Sequence, residues 1–77
     1  MFIVSTVYAR ASLVTPGGTV RWTFGTNVDG DWCANRLSGD RNPAQDTKRF
    51  NNLDELLSCV DWFANHGWST RVLTTPR

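Results

Sequence analysis

One stretch of this chain, from Phe50 to Gly67, reads as a helix from start to stop, and the rest of the chain must supply a surface for it. Asn52 followed three residues later by Glu55 is a capping-box pattern. The Asn oxygen can accept from an orphan N–H of the first turn while the Glu carboxylate reaches back. The helix is therefore predicted to start near Leu53. Gly67 is the residue able to enter the left-handed conformation that ends a helix, and His66 before it suits the negative end of the helix dipole. At about 100° per residue, Leu53, Leu56, Leu57, Val60, Phe63 and Ala64 fall in one apolar stripe. Such a stripe calls for a sheet to cover it.

The segments before the helix supply strands. Phe2 to Val14 alternates, with Ile3, Val7, Ala9, Ala11 and Leu13 on one side and Phe2, Val4, Thr6, Tyr8, Arg10 and Ser12 on the other. Thr15-Pro16-Gly17-Gly18 has the composition of a type II or bulged hairpin turn, and a second strand runs from Thr19 to Gly25. If Thr15 faces Gly18, then Leu13 lies opposite Val20, Ala11 opposite Trp22 and Ala9 opposite Phe24, which sets small residues against large ones on one face. A bulge at the glycines would shift this pairing by one. On the reverse face the same register aligns Tyr8, Arg10, Ser12, Val14, Thr19, Arg21 and Thr23.

Asn27-Val28-Asp29-Gly30 reads as a turn, and Asp31 to Leu37 returns as a third strand. Ser38 to Asp46 is all turn formers and polar groups, a surface loop. Thr47 to Phe50 is an extended lead-in to the helix, Trp68 is the hinge after it, and Ser69 to Thr74 is the last strand. The expected fold is a single α+β domain over residues 1–77. It is a small antiparallel β-sheet of three to five strands with one amphipathic helix packed on one face, in the order βββαβ.

With 77 residues, a domain buries only about 60 % of the surface its unfolded chain exposes. Its four Trp and four Phe help, since each large ring removes about 150–250 Å² from water. The net charge of +1 argues against both an acidic DNA mimic and a generic polybasic nucleic-acid binder, though charge alone names no partner. The longest apolar run at the start, Phe2-Ile3-Val4, is too short for a signal peptide or membrane span, so a cytoplasmic location without membrane association is expected. Cys33 and Cys59 read as buried thiols rather than a disulfide framework. Of the eight basic residues all but Lys48 are Arg, a side chain that pairs bidentately and stacks on aromatics.

No constellation points to catalysis. The single His, His66, stands at a helix end with no nucleophile beside it in sequence, which reads as a helix end group rather than a general base. Asp29-Gly30-Asp31 lacks the further ligands of a calcium loop and reads as a turn. Pro16-Gly17-Gly18 lies between strands and opens no helix, so it is no phosphate loop. The chain is expected not to be an enzyme and to need no cofactor or metal.

Two surfaces stand out as partner-binding candidates. Trp62 lies on the side of the helix away from Leu53 and Val60, near Glu55 and Ser58, where either the Ser38 to Asp46 loop folds over it or a partner does. The reverse sheet face combines Tyr8 with Arg10 and Arg21, and Tyr and Arg are side chains that often carry binding energy. A solvated sheet face is the bland alternative. The first reading is a protein–protein binding module. The second is a small nucleic-acid-binding domain in which Arg10, Arg21, Lys48, Arg49 and Arg71 contact phosphates while Tyr8 or a Trp stacks on a base. An edge strand beside an exposed Trp equally suits a homodimer.

The plan of an N-terminal strand starting at Met1-Phe2-Ile3, an antiparallel hairpin, then Arg49-Phe50-Asn51-Asn52 leading into a short helix with Leu56 and the Trp62-Phe63 pair resembles the small phage-encoded anti-CRISPR proteins of the type I class. The resemblance covers most of the chain as architecture. It implies a stoichiometric inhibitor acting in the host bacterial cytoplasm on a Cas protein or a Cascade-like surveillance complex.

Overall fold

The computed structural model describes residues 3–38 and 46–73, with the side chain of residue 38 left aside. Its elements follow in the order β1 (Thr6–Thr15), β2 (Gly18–Thr26), β3 (Trp32–Ser38), β4 (Thr47–Arg49), α1 (Leu53–Asn65) and β5 (Ser69–Val72). The strands form one sheet ordered β4-β3-β2-β1-β5, antiparallel at every pairing. The fold is α+β, with five strands and one helix. The expected lead-in before the helix is itself an edge strand, β4, paired with β3 through Cys33 opposite Arg49. Since β4 and β5 are the two edges, α1 links one edge of the sheet to the other. That crossing lays the helix over one face and leaves the opposite face uncovered by any described helix.

The hairpin register is the one that size complementarity predicts: Ala9 faces Phe24, Ala11 faces Trp22, Leu13 faces Val20 and Thr15 faces Gly18. Positive φ falls on Gly18, at 128°, and not on Gly17, so the turn is not type II. A bulge is present, but at the other end of β1, between Val7 and Ala9. Tyr8 is the extra residue there, and the alternation inverts beyond it, so Val7 shares the register face of Gly25 rather than that of Phe24. The strand also begins at Thr6 rather than Phe2, with the Ser5 amide donating to the Thr26 carbonyl at 2.8 Å.

The core lies between helix and sheet. Ala9, Ala11, Phe24 and Ala34 from the strands meet Leu56, Val60 and Phe63 from α1. The small residues on β1 and β3 make room for Phe24, whose ring is edge-on to Phe63 at 5.6 Å between centroids. Leu53 and Leu57 are half-buried at the margin, while Ala64, placed in the stripe by its angle, is exposed.

The helix ends are capped largely as the sequence implies. Asn52 Oδ1 accepts from the Glu55 amide at 2.9 Å. Glu55 returns one residue further back than a standard capping box, its Oε1 accepting from the Asn51 amide at 2.9 Å. At the far end Gly67 has φ 89°, and the Trp68 amide donates to the Phe63 carbonyl at 3.1 Å, the long bond of a Schellman cap. In the β2–β3 turn, buried Asn27 accepts through Oδ1 from the amides of Asp29 and Asp31, both at 2.9 Å, while Gly30 takes positive φ at 86°. The Ser38 to Asp46 loop lies outside the described residues except for its two ends.

Candidate functional site

Strand pairing fixes what the uncovered sheet face presents. Arg10 stands directly opposite Thr23 on β2 and opposite Arg71 on β5, while Ser12 stands opposite Arg21 and Ser69. Leu37 follows on β3, opposite Arg21. These side chains line a shallow groove of about 450 Å³ that runs across four strands. Arg10 and Arg21 therefore line one groove, as the register expected from the sequence aligns them, and β5 adds Arg71 to them. Arg36 pairs with Asp46 at 3.8 Å, and among the described residues no carboxylate lines the groove with its arginines.

Two other residues grouped with this face by their spacing lie elsewhere. Tyr8 does not line the groove: as the bulge residue it stands edge-on to Trp32 at 5.9 Å and packs against the core. Lys48, opposite Ala34, lies on the helix side of the sheet with its Nζ 5.5 Å from the Trp22 ring centroid, a cation–π contact. Arg49 shares the open face by register, facing Cys33, but lies outside the groove.

Asn35, which no sequence motif marks, stands in the same cross-strand row as Arg10 and Thr23, on the β4 side of this face. It is buried, its Oδ1 accepts from the Val4 amide at 2.6 Å, and its Nδ2 donates to Thr47 Oγ1 at 3.3 Å. One side chain thus ties the N-terminal segment and β4 to β3.

The second surface is the solvent side of α1. Trp62 is 52 % exposed. His66, one turn later, stacks on it with centroids 3.9 Å apart and planes 15° apart. His66 Nδ1 lies 2.7 Å from the Trp62 carbonyl oxygen, which can only accept, so this nitrogen carries the hydrogen. Phe63 meets the indole edge-on from below at 5.3 Å. The histidine is thus a clamp on the indole as well as the helix cap. The i, i+4 spacing of Trp62 and His66 is the signal in the sequence that marks the pair. Around them α1 carries Asp54, Glu55 and Asp61 and neither Lys nor Arg.

Cys33 and Cys59 are both free thiols. Burial pushes the Cys33 thiol above its ordinary value, with the Asp31 carboxylate adding to the shift. Burial also raises Cys59, against the opposing charge of Lys48. Neither thiol is activated as a nucleophile. Among the described residues no group of His, Cys, Asp and Glu gathers to hold a metal ion, and no helix is long and apolar enough to cross a membrane.

The site residues therefore fall into two groups on opposite layers, Arg10 with Arg21 on the sheet and Trp62 on the helix, with Tyr8 between neither. No family model, no curated protein and no solved structure matches the chain.

Proposed function

We propose that this chain is a binding protein that acts by occupying the surface of a protein partner, with the solvent side of α1 as its contact and Trp62 as the anchor. The observation that carries this reading is an indole left half in water yet already locked in place by the His66 stack. Covering the remaining ring, about 100 Å², is worth about 2.5 kcal/mol. Holding the ring in advance removes an ordering cost of about 0.5–1.5 kcal/mol that a free side chain would incur on binding. Asp61 beside Trp62 in sequence, with Asp54 and Glu55 in the first turn of the same helix and no Lys or Arg on it, favours a partner whose apolar pocket has a basic rim. The resemblance to type I anti-CRISPR proteins supplies the partner class, a Cas protein or a Cascade-like surveillance complex in a bacterial cytoplasm.

The test is a phage-plaque assay in a bacterium with an active type I CRISPR-Cas system, together with affinity capture of the complex by the purified chain. Wild-type protein is expected to restore plaques and retain the complex. Trp62→Ala is expected to lose at least about 2 kcal/mol of binding while its melting temperature stays near wild type. A Trp62→Ala protein that melts several degrees lower but binds undiminished would show that the ring serves the fold alone.

A further inference from the structure

The open sheet face carries a charge arrangement that the fold itself does not use. Arg10 and Arg71 are direct cross-strand neighbours, and Arg21 is the diagonal neighbour of Arg10 through Ser12. Like charges in these positions repel and destabilise a sheet. Among the described residues no carboxylate lines the groove to offset them, and the acidic side chains of α1 are on the other layer. Between the guanidinium groups stand the hydroxyls of Ser12, Thr23 and Ser69, which add short hydrogen-bond donors to the charged forks. A site of this composition is built for an oxyanion bearing several charges.

The remaining features of the face select the kind of anion. Protein interfaces have cores depleted in charge and rich in aromatics, and here three arginines share the groove with half-buried Leu37 and with Ala11 and Trp22, whose strand positions face the helix side. Single-stranded nucleic acid is held by rings on which bases stack. The two aromatic side chains nearest this region are turned away, Tyr8 against Trp32 and Trp22 against Phe63. What needs neither an apolar core nor a stacking ring is a regular row of phosphates, which each strand of a duplex presents once per about 3.4 Å of helix axis. We propose that the groove formed by Arg10, Arg21 and Arg71 is a binding site for the phosphate backbone of a nucleic-acid duplex, contacted without reading its bases. This site is independent of the Trp62 contact and lies on the opposite layer of the molecule.

Fluorescence anisotropy with a short mixed-sequence DNA duplex, its RNA counterpart, the separated single strands, polyglutamate and a mononucleotide tests the proposal. Contacts to three phosphates predict that duplex affinity falls about 40-fold between about 50 and 200 mM salt, whatever the base sequence. Arg10→Gln, Arg21→Gln and Arg71→Gln are each expected to weaken duplex binding and to flatten the slope of log K against log salt by about 0.9. Thermal unfolding of the same variants is expected to show an intact fold, because each change relieves repulsion on an exposed face. Absence of duplex binding at the lower salt would overturn the proposal. So would equal or tighter binding of polyglutamate, of the single strands or of the mononucleotide, or folded Arg→Gln variants with wild-type duplex affinity.

Discussion

At the scale of single residues, Gly25 is the position with the least freedom. A Cβ built there would sit 1.8 Å from the Thr6 carbonyl oxygen and 2.9 Å from its carbon, so the obstruction is backbone and cannot swing aside. This is the strand position opposite Val7, where the bulge presses β1 onto β2. Gly25→Ala is therefore expected to cost about 3 kcal/mol, as overpacking does, and to lower the melting temperature by more than about 10 °C in a domain of this size. Thermal unfolding followed by circular dichroism measures it, and a wild-type melting curve would mean that the bulge relaxes freely. The bulge also explains why Tyr8 escaped its expected place. Strict alternation counted from Arg10 puts Tyr8 beside the arginines, whereas one inserted residue gives its ring to Trp32. Nothing in the local sequence marks an insertion at Val7-Tyr8-Ala9, because its cause is a contact with a glycine seventeen residues away in the chain. The Trp62–His66 stack is the opposite case: the sequence reading takes His66 only as a helix end group, although the i, i+4 spacing is enough to bring the rings together.

At the scale of elements, legibility followed the strength of the local pattern. The helix could be read from cap to cap because Asn52, Glu55 and Gly67 act through hydrogen bonds within a few residues of themselves. The β1–β2 register was readable because only one alignment sets Ala9 and Ala11 under Phe24 and Trp22. The strand β4 was not, since Thr47–Arg49 offers too few residues to display alternation and pairs through a long-range contact with β3. Asn35, likewise, acquires its role only when Val4 and Thr47 arrive beside it. The stripe of α1 is a graded rather than uniform contact: Leu56, Val60 and Phe63 are buried, while Leu57 rests at the edge. Leu56→Ala should accordingly cost about 2–5 kcal/mol through lost burial and the cavity left under α1. Leu57→Ala should cost less. Denaturant unfolding of the two variants side by side decides this, and an equal or greater loss at Leu57 would mean that α1 is rotated about its axis from the position described.

At the scale of the whole molecule, the net charge of +1 conceals a separation of charge. The helix layer holds Asp54, Glu55 and Asp61 with no basic side chain on α1, and the groove on the far face holds Arg10, Arg21 and Arg71 with no acidic side chain among the described residues that line it. Composition averages the two layers to near zero, which is why charge counting alone disfavours a nucleic-acid contact while the sheet register supports one. The separation follows from topology: α1 runs from edge strand β4 to edge strand β5, so a single crossing dedicates one face to the helix and leaves the Arg10, Arg21 and Arg71 side of the other without one. The two proposed contact surfaces then lie on opposite sides of a layered body whose smallest extent is 21 Å. Changes more than about 7–10 Å apart with no shared partners act additively. A chain bearing both Trp62→Ala and Arg71→Gln should therefore lose protein-partner binding by the amount Trp62→Ala loses alone, and duplex binding by the amount Arg71→Gln loses alone, each within about 0.5 kcal/mol. Measuring both affinities on the two single variants and the double variant closes the cycle. A coupling of 1 kcal/mol or more, on the order of that between residues in direct contact, would mean that one ligand spans both layers and that the surfaces are parts of a single interface wrapped around the β5 edge.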